Sequence, residues 1–239
     1  RRKVNKRTFR KKPSGKDVAR GFWTSFKILF KTVFMLIIVV GCIAGGLLMG
    51  VVAGCIITTE PLTEEQLDIK NSTALTSFVY DSEGNELVHI KGTANENRQL
   101  VDIEEVPDYF QKAFVAIEDE RFYTHNGVDF KRTIAAFLGY VIPGMDSHGG
   151  STITQQVIKN ITGDDAQSVP RKIREQWRAL DLEKRLEKDE IMELYMNVIY
   201  MGQDLYGVKS AALAYFNKDV KDLSLAECAF LAGITNNPG

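Results

Sequence analysis

The chain has 239 residues, 44% of them hydrophobic, and a formal net charge of −1, which leaves room for one full domain and an anchor. That near-neutral total hides an asymmetry: residues 1–31 carry twelve Lys and Arg against one acid, Asp17, whereas residues 32–239 carry eighteen basic and thirty acidic side chains. No nucleic-acid partner is expected of so acidic a body, and unclustered cysteines and histidines exclude a disulfide scaffold and a zinc clip.

In chain order, residues 1–31 form a basic tail, and residues 32–59 then run for 28 positions without a charge. At about 1.5 Å of rise each they exceed a hydrocarbon core of roughly 30 Å, which predicts one transmembrane helix. The basic excess before the span predicts a single-pass topology with the N-terminus in the cytoplasm and everything after Glu60 outside. A cleaved signal peptide has an apolar core of only about 7–15 residues, so it fits less well. "VAGC" at Val52 to Cys55 has the look of a lipid-attachment box, against which the full-length span weighs. Gly41 and Gly45 are four apart, as are Gly46, Gly50 and Gly54, a small-residue face suited to close helix packing and hence to self-association or a membrane partner.

Residues 60–105 read as a polar stalk followed by a β-hairpin, "TSFVYDSEGNELVHI", turning at Asp81 to Asn85. From residue 106 the period becomes helical. Phe110, Ala113, Phe114 and Ile117 follow Pro107 and deliver "EDERFYTHNG" at the helix end, where His125 is placed to bond the turn that holds Glu118. Asp129 caps a helix over 130–140, and "VIPGMDSHGG" reads as a connection able to open and close.

Ser151 stands at an N-cap position, with Thr152 and Gln155 spaced as a capping box. The helix so predicted carries an apolar line, Ile153, Val157 and Ile161, and a polar line, Thr152, Gln155 and Lys159, flanked by Gln156. A glycine-flanked helix start followed by a cation suits an anion such as phosphate. Ser168 and Pro170 open the next helix, whose Arg171 and Lys172 share a face with Glu175. Helices from Lys188, over 206–216 and after Ser224 complete a mainly α body over 106–239. Taken singly, each polar feature is ordinary surface. Together, two glutamates 57 positions apart with a hydroxyl, amide and lysine helix between them describe a cleft.

"EDERFYTHNG", "GGSTITQQ" with "VIKN", "RKIRE", "KDEIMELYMN" and "YGVKSAALAYFNK" stand in the order and spacing of five motifs, and over residues 76–239 the chain resembles the family-51 glycosyltransferases. These are the peptidoglycan-polymerising domains of bacterial class A penicillin-binding proteins and of monofunctional cell-wall transglycosylases; the hairpin prelude resembles the class A type. The resemblance implies a lysozyme-like helical fold on the outer face of the cell membrane, joining lipid II units into a β-1,4 glycan strand with release of undecaprenyl diphosphate. It implies Glu118 as the general base and Glu175 on the leaving-group side, with Asp119, Ser151, Thr152, Gln155, Gln156, Lys159, Arg171 and Lys172 contacting substrate. It allows a divalent cation, Mg or Mn, although the residues show no dedicated ligand set. Its partners would be lipid II, the growing strand, the membrane and, through the glycine face, a second copy or other cell-wall proteins. The hydrophobic "AAFLGYVIPGM" would either dip into the bilayer or form a core helix with a lid. A lytic transglycosylase of lysozyme type and a non-enzymatic assembly scaffold are the alternatives. The absence of S-x-x-K with K-T-G leaves no penicillin-binding role to these residues, and the missing initial Met and the final "LAGITNNPG" read as the bounds of a fragment of a longer protein.

Overall fold

The computed structural model describes residues 15–69, 75–90, 97–141 and 149–235. Contacts divide the chain into two units, Arg1–Gly54 and Cys55–Gly239. The described residues of the first belong to one helix, α1, Gly15–Ile57, which runs three residues past the boundary. It begins well before the uncharged run, because nothing in residues 15–31 breaks a helix, and Gly21–Ile57 is long and apolar enough to cross a membrane. Among the described residues, and apart from the local backbone of α1 itself, nothing lies within 4 Å of a Cβ built on Gly41, Gly45, Gly46, Gly50 or Gly54, so the small-residue face is unoccupied there.

The second unit starts with a strap. Thr63 caps the short helix α2, Glu64–Leu67, through a full capping box with Gln66. Leu62 is buried in the core, and Arg185 Nη1 and Arg178 Nε donate to the carbonyls of Leu62 and Glu60 at 2.7 and 3.0 Å. The expected hairpin follows: β1, Ser77–Tyr80, pairs antiparallel with β2, Glu86–Ile90. Asp81 Oδ1 accepts the N–H groups of Glu83 and Asn85, and Gly84 supplies the left-handed position (φ 86°).

Among the described residues seven further helices build the body: α3 Asp108–Glu118, α4 Phe130–Val141, α5 Ile153–Thr162, α6 Val169–Leu182, α7 Lys188–Val198, α8 Val208–Phe216 and α9 Leu225–Ile234. Helix α5 packs on α6 and α7, while α9 packs on α3 and α8. Phe110 and Phe114 of α3, Ile153 and Val157 of α5, and Ile191, Tyr195 and Met196 of α7 meet in one buried cluster, so the apolar lines of α3 and α5 face inward over most of their length; Ile117, in the last turn of α3, is exposed instead, and Ile161 of α5 is only half-buried. The caps at Asp129, Ser168 and Ser224 stand where the sequence puts them. One element carries no sequence signal. A two-residue parallel pairing of β3, Asn97–Arg98, with β4, Leu205–Tyr206, fastens the chain ahead of the helical body to the loop after α7. Asn197 reinforces it, accepting from Val101 N at 2.9 Å and donating to Val101 O at 2.8 Å. The connection at 142–148 lies outside the described residues.

Candidate functional site

The start of α5 corrects the sequence reading by one residue. The N-cap is Thr152 rather than Ser151: Thr152 Oγ1 accepts from Gln155 N at 3.2 Å and Gln155 Oε1 accepts from Thr152 N at 2.9 Å. Thr152 also donates to Gly127 O at 2.6 Å. Both cap residues are therefore buried, and the polar line reaches solvent only at Lys159. The helix start is also less open to an outside anion than its glycines suggest, because Asp119 Oδ2 already accepts from Ile153 N at 3.0 Å. Released from capping, Ser151 accepts from Lys172 Nζ at 2.7 Å.

Asp119, only 1% exposed, ties the end of α3 to the start of α5. Its Oδ2 also lies 2.8 Å from His125 Nε2, and His125 Nδ1 accepts from Gly127 N at 3.2 Å. With Nδ1 accepting, Nε2 carries the ring proton, so the histidine does hold the turn below Glu118. Gly127 is required there: φ is +87°, and a Cβ would lie 2.5 Å from Ala179 O. Arg121 Nε donates to Asp129 Oδ2 at 2.7 Å. Burial pushes the Asp129 carboxyl up, but the Arg132 N–H and the Arg121 guanidinium outweigh it and leave the group below its ordinary value.

Glu118, at the end of α3, has both oxygens engaged. Gln156 Nε2 donates to Oε2 and Thr235 Oγ1 donates to Oε1, each at 2.7 Å. Arg132 donates to the Glu118 carbonyl. Behind it stands Tyr195, whose ring meets Phe114 edge-on at 5.3 Å. Burial, together with the Glu118 charge, raises the Tyr195 phenol well above its ordinary value. Thr235 and Arg132 escaped the sequence reading; Thr235 is 117 positions from Glu118 in the chain, and no local pattern joins them.

Gln156 also lines a cleft of about 360 Å³ with Ser151, Gln155, Lys159, Arg171, Lys172 and Glu175. Glu175, 5% exposed, forms its floor. Arg171 Nη1 lies 2.7 Å from Glu175 Oε2, and Lys172 Nζ binds Oε1. Arg171 Nε is turned to Asp164 O at 2.9 Å, which fixes the fork. Seven of the ten sequence-predicted residues thus gather on the cleft; Glu118 adjoins it through Gln156, and Asp119 and Thr152 lie buried beneath. The donor set suits a diphosphate. It does not fit a resident metal: the buried carboxylate is saturated by cations, and among the described residues no three His, Cys, Asp or Glu side chains gather at one point.

A family model described as Transglycosylase matches residues 83–239. Penicillin-binding protein 1A of Clostridium perfringens (strain 13 / Type A) is 44% identical over 204 residues, covering 81% of this chain and 30% of the relative. Penicillin-binding protein 1A of Clostridium botulinum (strain Langeland / NCTC 10281 / Type F) is 38% identical over 232 residues, 94% of this chain and 26% of the relative. Penicillin-binding protein 1A/1B of Bacillus subtilis (strain 168) is 35% identical over 241 residues, 100% of this chain and 25% of the relative. The chain therefore spans a quarter to a third of the length of these relatives. With the cleft built on the very stretches that the family model covers, the chain belongs to the Transglycosylase family.

Proposed function

We propose that the chain is a peptidoglycan glycosyltransferase that polymerises lipid II with inversion at the anomeric carbon. The observation that carries the reading is the division of the site. A carboxylate oriented by neutral donors, Glu118, is bonded to Gln156, and Gln156 also lines the cation-rich cleft. Inverting displacement needs a base on one face of the sugar and help for the leaving group on the opposite face. In this reading Glu118 takes the proton of the acceptor 4-hydroxyl. The diphosphate already leaves as a stable anion, so it needs positive charge more than a proton. Lys159, Arg171 and Lys172 supply that charge, and Ser151 and Gln156 offer hydrogen bonds.

Glu175 supports the cations rather than the sugar. Each of its oxygens is on a cation, so its part is to hold Arg171 and Lys172 at the cleft wall. Asp119 and Thr152 set the distance between Glu118 and α5 from below instead of touching substrate.

Both substrates are membrane-bound lipids, and a tether at α1 raises their encounter with the cleft. The basic residues before the span argue for a cytoplasmic N-terminus and an external body. Phe130 and Ile134 leave apolar surface exposed on α4, which favours contact of this helix with the bilayer. The open glycine face of α1 favours a second copy or another membrane helix as partner.

The test is polymerisation of labelled lipid II by the full-length protein beside Glu118→Gln and Glu175→Gln, with and without Mg to settle the metal requirement. Polymer from wild type, near-total loss in Glu118→Gln and a marked fall in Glu175→Gln are expected. Full activity of Glu118→Gln would remove the base, and cleavage of purified sacculi in place of polymerisation would point to a lytic enzyme.

A further inference from the structure

The two donors on Glu118 differ in kind. Gln156 reaches Oε2 through an amide nitrogen, which can only donate, whereas Thr235 reaches Oε1 through a hydroxyl, which can donate or accept. The Thr235 hydroxyl has one proton and two acceptors in range, Glu118 Oε1 at 2.7 Å and the Ala232 carbonyl at 2.8 Å. Turning from one to the other needs rotation of the hydroxyl proton alone, with no movement of a heavy atom.

A carboxylate that takes up a proton converts one oxygen from acceptor to donor. On Oε2 the new O–H would point at the Gln156 N–H, donor against donor, in a half-buried site. On Oε1 it meets the Thr235 oxygen, which can accept while its own proton turns to Ala232 O.

We infer that Thr235 is a positioning residue for the base, and that the proton leaving the acceptor hydroxyl lands on Glu118 Oε1. The inference rests on the glycosyltransferase reading. In the step, the acceptor O–H bond breaks while that oxygen forms its bond to the donor's anomeric carbon. The bond from that carbon to the diphosphate oxygen breaks with its electron pair on the diphosphate. The proton ends on Oε1, and the Thr235 hydroxyl reverses from donor to acceptor. Helix α9, which packs on α3, thereby carries a working partner of the base at its C-terminal end.

The experiment compares Thr235→Val and Thr235→Ser in the full-length protein, with Glu118→Gln alongside, by steady-state polymerisation of lipid II and thermal unfolding. Thr235→Val keeps the shape and removes the hydroxyl, so kcat falls about tenfold with KM unchanged. Thr235→Ser restores kcat to within about twofold, because the hydroxyl returns. Should Thr235→Val fail to fold, Thr235→Ala carries the same expectation. Wild-type kcat without the hydroxyl, a loss in Thr235→Ser equal to that in Thr235→Val, or an effect confined to KM overturns the positioning role and leaves the glycosyltransferase reading standing. Wild-type polymerisation by Glu118→Gln overturns that reading, and this inference with it.

Discussion

Lys172 Nζ donates to Ser151 Oγ at 2.7 Å while also binding Glu175, so a single ammonium joins the segment ahead of α5 to the first turns of α6. The cation is in place before any substrate arrives, which is the arrangement that costs least reorganisation at the moment of reaction. Lys172→Met is expected to lower kcat/KM for lipid II about 10–100-fold, since it removes charge and leaves Glu175 with Arg171 alone. Ser151→Ala should cost only a few-fold, because Glu175 still holds the lysine. Initial polymerisation rates of the two variants provide the check, and equal effects would contradict this ordering.

Asp119 and Glu118 are neighbours in the chain with opposite duties. Asp119→Asn puts an amide against the His125 ring N–H and weakens the bond to Ile153 N, so a loss of about 1–3 kcal/mol of stability is expected. Glu118→Gln, at a half-buried carboxylate whose partners are neutral, should abolish polymerisation with little change in stability. Denaturant unfolding of both variants separates the two roles.

Gly127→Ala combines a left-handed backbone (φ +87°) with a Cβ that would sit 2.5 Å from Ala179 O, a backbone atom of α6 that cannot easily move. A destabilisation of about 2–4 kcal/mol is expected. Gly163→Ala is the control: its φ is +63° but nothing lies within 4 Å, so about 1 kcal/mol of backbone cost is all that applies. Similar unfolding midpoints for the two variants would refute the close approach.

Glu227 closes the N-terminal cap of α9. The Lys218 ammonium first, then the Ser224 N–H and hydroxyl, hold its carboxyl down to about 2. Because the folded value lies below the ordinary value of 4.5, the group's contribution is complete above about pH 4.5 and is lost as the pH falls toward 2. Wild type should therefore lose more melting temperature over that window than Glu227→Gln does, and parallel curves would show that the cap contributes nothing.

The sequence alone determined the elements whose cause is local. The uncharged run, the hairpin turn at Asp81 to Asn85, the caps at Asp129, Ser168 and Ser224, and the buried members of the stripes on α3 and α5 follow from periodicity and capping chemistry acting over a few residues. The grouping of Arg171, Lys172 and Glu175 was legible for the same reason, since three- and four-residue spacing on a helix is itself a contact. Tertiary structure decided what depends on elements distant in the chain. It moved the cap from Ser151 to Thr152, because Gly127 O and Asp119 Oδ2 fix the helix start from across the fold. It buried Asp119, Thr152 and Gln155 while leaving Lys159 at the surface. It paired β3 with β4 and carried Thr235 to Glu118 across 117 positions, contacts whose partners have no sequence period in common. Local chemistry chooses the shape of each segment, but only the packing of one helix on another decides which side chains share a carboxylate.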